Sequence, residues 1–435
     1  MEVKLKGTKL ESLINLFSLL NVGEYKSFVL HSLHVAKISS QIVDRLMKEI
    51  DTDVVYILGL FHDIGLVFKA SLENYELFED MFPKIADLER IVLTFDKANQ
   101  HSKISYGCVQ RFPFLSNNEI VKSALYHHVP IDKIPESEKI ALVSNAMLAA
   151  DVLSRLFLKR QIEFPDEEFL KESMDFLDKS PALHPEVSRV LKEILKDPSV
   201  LSQLFDDESH FCSKKDLYID DVLHFAAIFS ALLDFRSPYT RSHTFLVDYV
   251  VEKLACEIFK GEFDVNFLKV VALFHDIGKI KIPLQILHKH GRLNEYEMAV
   301  MKTHVVETKL MLTKASLEKY ADLAGSHHER LDGSGYPLKL TEKQLSIYSR
   351  ILQVADVFAA LTEKRPYRDA LEPKEAIEVV REEVESGKLD DYVFEKLEQL
   401  VKNNLELPTQ RNIMENLLGV ESVDQIVVVD ANLVV

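Results

Sequence analysis

The chain has 435 residues, of which 47% are hydrophobic and 28% charged, a balance that excludes disordered, collagen-like and low-complexity classes. With 52 Lys and Arg against 69 Asp and Glu, its net charge of −17 disfavours duplex nucleic acid, while a small phosphorylated substrate stays open if metal ions supply positive charge locally. Only 13 glycines and 14 prolines, among many Leu, Lys and Glu, point to a mostly helical protein of two to three domains.

In chain order, the opening MEVKLKGTKLESLINLF carries charges at amphipathic spacing and lacks the apolar core of a signal peptide. Asp53 to Phe61 reads as a buried helix that runs into Phe61-His62-Asp63-Ile64-Gly65. Asp166 to Leu204 reads as linking helices with stop signals at Pro181, Pro185 and Pro198. Val265 to Phe274 is a second buried helix, running into Phe274-His275-Asp276-Ile277-Gly278. Gly65 and Gly278 stand where a C′ glycine stops a helix. Gln425 to Val435 is the most β-like stretch, and it reads either as a short hairpin turning at Asp430-Ala431-Asn432 or as a fraying tail. Cys108, Cys212 and Cys256 are scattered, which fits a reducing compartment rather than a disulfide framework. No run approaches about 20 apolar residues, so the expectation is a cytoplasmic protein without a membrane span.

The repeated phrase belongs to a longer duplication. His31 matches His243, the two His-Asp pairs match, His101 matches His304, His127-His128 match His327-His328, and Asp151 matches Asp356. The offsets drift only between 200 and 213 residues, as expected of loops in a duplicated domain. Ten of the 16 histidines fall in these slots in the same order. Each final Asp is followed nine residues later by an arginine, Arg160 or Arg365.

Seven ligand-type side chains in the second copy (His243, His275, Asp276, His304, His327, His328 and Asp356) exceed the needs of one four-coordinate zinc. Mixed imidazole and carboxylate suits Fe, Mn, Zn or Ni, and the number suits two ions sharing a carboxylate. Neighbours on a helix point about 100° apart, so His275 can face one ion while Asp276 turns towards the gap between two. Spacing alone leaves open whether His327 and His328 divide between the ions or both serve the second.

The order His, His-Asp, His, His-His, Asp resembles the HD phosphohydrolase superfamily, an all-helical, metal-dependent fold. The second copy further resembles its HD-GYP branch through Tyr239-Thr-Arg-Ser-His243, His275-Asp-Ile-Gly-Lys279, His327-His-Glu-Arg-Leu-Asp-Gly-Ser-Gly-Tyr-Pro337, Arg350-Ile-Leu-Gln-Val-Ala-Asp356 and Arg365-Pro-Tyr-Arg368, over about 190 residues. The resemblance implies an all-α chain of two tandem HD-type domains, at 1–160 and 216–408, joined by linking helices at 161–215 and followed by a tail at 409–435. It implies hydrolysis of cyclic di-GMP either to linear pGpG alone or onward to GMP, by a hydroxide bridging two Fe or Mn ions.

Asp276 and Lys279 are then the catalytic candidates, and Lys279, Tyr336, Arg365 and Arg368 the substrate contacts, with arginine suited to phosphate by its two-pronged donors. Some members of the branch place a Glu four residues before the first ligand His and hold a third ion. Tyr239 stands there in this chain, which favours two ions. A GGDEF-type cyclase is the partner that the branch suggests. A homo-oligomer through the linking helices has no clear heptad run to specify it.

The first copy keeps every ligand type, in His31, His62, Asp63, His101, His127, His128 and Asp151, as a second metal site. Leu66 replaces the lysine, Val-Pro-Ile-Asp replaces the Gly-Tyr-Pro loop, and only Arg160 remains of the basic set. This implies a metal-binding domain with altered substrate or a regulatory role; a decayed copy whose histidines only pack is the alternative. For the whole chain, two other readings stand beside the cyclic di-GMP phosphodiesterase. One is a hydrolase of another cyclic dinucleotide or a nucleotide phosphate, and the other is a sensor or docking module with little turnover.

Overall fold

A computed structural model describes residues 4–67, 95–234, 242–259, 261–363, 369–409 and 412. The chain divides into two compact units: Phe17–Lys214, and a second that joins the stretch ending at Leu16 to the stretch opening at Lys215. Both are helical.

In the first unit, α2 (Lys26–Leu46) packs on α3 (Thr52–Phe61) and α5 (Glu138–Lys159), with α4 (Phe95–Val109) against α3. The Asp51 carboxylate caps α3 by accepting the Asp53 amide. Phe17, Phe61 and Phe112 form a fully buried aromatic row, with ring centroids 5.7 and 5.9 Å apart. Helices α6 (Glu167–Lys179), α7 (Pro185–Leu195) and α8 (Pro198–Leu204) follow, and α7 packs on α2 and α5. Pro185 and Pro198, expected as stop signals, are instead the first residues of α7 and α8, where the missing N–H costs nothing. Phe169 of α6 and Phe205 meet Phe157 of α5, so these helices share the core of the first unit.

Helix α5 is the segment among the described residues that bears on the expectation of no membrane span. It is long and apolar enough to cross a bilayer, although no unbroken apolar run announces it, because Ser, Asn and Asp are spaced along it. Those apolar residues are buried inside the unit, as in the core helix of a globular domain.

The second unit contains the one sheet among the described residues. Strand β1 (Lys4–Lys9) pairs antiparallel with β2 (Asp216–Tyr218), Lys4 opposite Tyr218 and Lys9 opposite Asp216. Between the strands in sequence lie α1 (Leu10–Ser18) and the first unit; beyond β2 come α9 (Ile219–Asp234), α10 (His243–Ile258), α11 (Glu262–Phe274), the short α12 (Leu284–Leu287) and α13 (Glu295–Lys314). Then follow α14 (Glu318–Ala324), α15 (Ile347–Thr362), α16 (Pro373–Glu385) and α17 (Asp391–Lys402). Helix α11 packs against α9 and α10, and α10 against α15, which brings the ends of the ligand-bearing helices together. The hairpin expected at Gln425 to Val435 lies outside the described residues, as do Tyr239, Arg365 and Arg368.

Both His-Asp turns depend on glycine, for a reason other than the one expected. Neither Gly65 nor Gly278 has a positive φ, so neither is a left-handed helix stop. A Cβ on Gly65 would lie 2.1 Å from the His101 carbonyl oxygen, and one on Gly278 equally close to that of His304. Glycine lets each turn press against the helix that carries the third histidine. The approach is locked by matched hydroxyls: Ser105 Oγ accepts the Gly65 amide, and Thr308 Oγ1 accepts the Gly278 amide.

Candidate metal centres

In the second unit, His243 opens α10, His275 closes α11, Asp276 follows it, His304 lies on α13, His327-His328 follow α14, and Asp356 lies on α15. Backbone carbonyls fix the imidazoles. The Nδ1 atoms of His275, His304 and His327 sit 2.6–2.7 Å from the carbonyls of Ala272, Met301 and Ala324, three residues earlier on each helix. With Nδ1–H donating there, each Nε2 turns a lone pair towards the cluster.

Those lone pairs face further acceptors. His304 Nε2 and His327 Nε2 are 3.3 Å apart, with Asp276 Oδ1 at 3.3 and 3.7 Å from them. Across the same carboxylate, Asp276 Oδ2 is 3.2 Å from His275 Nε2 and 3.8 Å from His243 Nε2. Asp356 Oδ1 is 3.2 Å from His243, and its Oδ2 is 3.7 Å from His328 Nδ1. His275 Nε2 and Asp276 Oδ1 are buried without a hydrogen-bond partner. Buried acceptors converging on one another are costly unless a cation lies between them, so this donor set fits metal ions. Asp276 presents one oxygen to each group of imidazoles, as a carboxylate shared by two ions does.

The protonation states agree. Burial pushes Asp276 and Asp356 up, but His275 and Lys279 beside the first, and His243 and His328 beside the second, hold both carboxyls well below the usual range. Burial, with His328 and His275 close by, drives His327 well below an ordinary histidine; burial takes His328 down to about 3 against the pull of Asp356. Anionic Asp276 and Asp356 with neutral His327 and His328 are the states that binding a divalent ion requires of those groups.

Around this centre, Lys279 Nζ pairs with Asp276 Oδ2. The Tyr336 ring lies against His328, centroids 4.9 Å apart, and Lys302 Nζ sits 4.8 Å from the Tyr336 centroid. Three residues were missed by sequence reasoning. Glu363 is buried with Oε2 3.4 Å from His243 Nδ1, a carboxylate behind a ligand-type histidine. Glu329, also buried, accepts the amides of Leu338 (2.6 Å) and Leu340 (2.8 Å), which ties the Gly-Tyr-Pro loop to the segment following His327-His328. Exposed Lys302 is the third; lying two residues before His304, it had only that proximity as a signal.

The first unit repeats the pattern. Asp63 Oδ1 faces His101 (3.1 Å), His127 (3.5 Å) and His128 (3.9 Å), while Oδ2 faces His62 (3.4 Å) and His31 (3.6 Å). Asp151 Oδ1 lies 3.0 Å from His31 and 3.5 Å from His62. Again Nδ1 of His62 and His127 contact carbonyls three residues back, and His101 and His127 bring their Nε2 atoms within 3.3 Å. Behind His31 stands Ser154 Oγ at 2.9 Å, where the second copy has Glu363.

The cations differ. Arg160, expected to survive from the basic set, is occupied with Glu168, Glu172 and Asp166 on the surface. Arg155 enters the cluster instead: its Nε donates to Asp151 Oδ1 at 2.8 Å and its Nη2 to Asp63 Oδ2 at 3.0 Å. The signal for it was an Asp-Arg pair four residues apart on a helix otherwise rich in buried apolar residues.

The sequence matches the HD domain family twice, at residues 28–156 and 223–393. It is 28% identical to a 3'3'-cGAMP-specific phosphodiesterase (phosphodiesterase 1) of Vibrio cholerae, over 80% of this chain and 81% of that protein. It is 32% identical to a cyclic di-GMP phosphodiesterase of Thermotoga maritima, over 58% of this chain and 66% of that protein. Among solved structures, that of a cyclic GMP-AMP specific phosphodiesterase of V. cholerae has the same fold, with a TM-score of 0.53 at 23% identity, covering 91% of this chain and 98% of that one.

Proposed function

The chain belongs to the HD-domain family, which it contains twice in tandem, and from that premise we propose that it is a metal-dependent cyclic-dinucleotide phosphodiesterase acting at the cluster of the second unit. The observation that carries this is Asp276, which turns one oxygen to each of two imidazole groups and pairs through Oδ2 with Lys279. His243, His275, His304, His327, His328, Asp276 and Asp356 would hold two divalent ions, with Fe or Mn matching the mixed nitrogen and oxygen donors. Such ions supply Lewis acidity and an activated water at neutral pH.

The chain's own residues do the rest. Lys279, about one-fifth exposed, fixes the Asp276 carboxylate and sets a positive charge beside the cluster for a phosphate oxygen. Tyr336, held against His328, offers a ring face for a nucleobase, and Lys302 adds a second cation beside it. Arg365 and Arg368 complete the phosphate contacts in this reading. The His328 side chain is 24% exposed where its counterpart His128 is 6% exposed, so the second cluster is the one that substrate can reach.

Cyclic di-GMP is the substrate that the HD-GYP phrases favour, cleaved to pGpG and then GMP. A second reading is 3'3'-cGAMP, favoured by the similarity to the V. cholerae phosphodiesterase along four-fifths of the chain. The test is hydrolysis of both dinucleotides by protein loaded anaerobically with Fe(II) or Mn(II), with products separated by chromatography. Turnover of at least one, lost in Asp276→Ala and kept in Asp63→Ala, is the expected result. No turnover of either by the fully loaded protein would refute the proposal.

A further inference from the structure

The first cluster differs from the second in the source of its cation. In the second unit the lysine comes from the His-Asp turn and pairs with Asp276 Oδ2, the oxygen that faces His243 and His275. In the first unit that turn carries Leu66, and the cation comes from α5: Arg155, four residues after Asp151, where the matched residue of the second copy is Ala360. Its guanidinium joins both carboxylates, and the oxygens it holds, Asp63 Oδ2 and Asp151 Oδ1, are the ones that face His31 and His62.

We infer that Arg155 takes the place of one divalent ion in the first cluster, so that this copy holds a single ion where the second holds a pair. An ion on the side of His31 and His62 would share its two oxygens with a fixed positive charge only a few ångströms away, and like charges at that range repel strongly. Arg155 leaves the other side untouched. Four ligand-type atoms lie within 4.8 Å of one another on each side, His31, His62, Asp63 and Asp151 on the side of Arg155 and Asp63, His101, His127 and His128 on the other, so the guanidinium and not the ligand count decides between them. A complete four-ligand set is the arrangement of a closed site, whereas a catalytic site keeps an open position. In the second unit the comparable groups number three each: His304, His327 and His328, and His243, His275 and Asp276. The side chains of the first cluster are also less accessible, with Arg155 10% exposed and His128 6%. The first copy is thereby a metal-holding domain without a place for substrate.

The inference goes beyond the proposed function and rests on it only for the count of two ions in the second cluster. Its test is Mn(II) loading of the whole chain under anaerobic conditions, removal of free metal, elemental analysis and electron paramagnetic resonance. Wild type is expected to hold three ions per chain, giving one coupled-pair signal and one isolated-ion signal. Arg155→Met should raise the count to four and convert the isolated signal into a second pair, while Arg155→Lys, which keeps the charge, should stay at three. Asp63→Ala should remove the isolated signal alone. Four ions in wild type without an isolated signal, or an unchanged count in folded Arg155→Met, would overturn the inference, and the wild-type count decides the matter even if that variant does not fold. A wild type that shows the isolated signal without a coupled pair overturns the reading of the second cluster and supports that of Arg155.

Discussion

The two copies present the same seven ligand-type side chains in the same order, yet they differ in nearly everything that stands behind and beside them. Behind the first histidine the second copy has the carboxylate of Glu363, and the first copy has the hydroxyl of Ser154. Beside the aspartate of the His-Asp pair stand Lys279 in one and Arg155 in the other, supplied from different elements. A ligand set therefore says that ions can be held; the neighbours of the ligands decide what the ions are exposed to and how many fit.

The largest expected effect separates the copies outright. Asp276→Ala should abolish dinucleotide hydrolysis, and Asp63→Ala should leave most of it, read as product formed per loaded chain; equal loss in both would show that the two clusters act together. Next come the paired glycines. Gly278→Ala and Gly65→Ala each force a Cβ to within 2.1 Å of a backbone carbonyl, and each should cost roughly 3 kcal/mol of stability in denaturant melts. Only Gly278→Ala should also lower hydrolysis, because only that turn carries the catalytic candidates.

A smaller effect tests the residues behind the ligands. Glu363→Gln should weaken metal binding in the second copy by roughly 10- to 100-fold, measured by competition with a chelating dye. Ser154→Ala should leave metal binding in the first copy nearly unchanged, since Ser154 stands behind His31, on the side that Arg155 occupies. If the two changes match, the contrast between the two copies carries no weight.

The smallest effect is one of pH. Asp248 on α10 matches Ala36 of the first copy, and burial, reinforced by Glu252 and resisted by Lys269, pushes its carboxyl up to about 7. Because the folded value lies above the unfolded one, the folded state binds the proton more tightly, and stability falls as pH rises from the ordinary carboxylate range to about 7. Asp248→Asn should therefore raise the stability measured in denaturant melts at pH 8, by about 1 kcal/mol after allowance for the lost contact with Lys269, and raise it less at pH 5. An equal gain at both would exclude the carboxylate as the cause.

Much of the architecture was legible because metal ligands are rare residue types whose order survives loop drift, and because the two helices that run into the His-Asp pairs are apolar along most of their length. The rest was hidden for particular reasons. Glu363 lies seven residues after Asp356 in a charged stretch, and only the fold turns it inward beneath His243. Glu329 is hidden by its position next to His327-His328, which draws attention to the histidines, while its own partners are amides nine and eleven residues onward. The glycines of the His-Asp turns were noticed but explained by the wrong contact, because a close approach to another helix leaves no trace in local sequence.

The pairing of β1 with β2 has a consequence for how the chain is made. Lys4 to Lys9 leave the ribosome roughly 200 residues ahead of the strand that receives them, an interval of about 10 to 40 s at ordinary translation rates. Within that interval all of Phe17–Lys214 is synthesised and has time to fold as a unit, while the earliest segment waits for its partner. The first copy is thus, in topological terms, a passenger inserted into the second. Trimming the initial strand to isolate the first copy would injure the other one, whose sheet would lose half of its hydrogen-bonded pair.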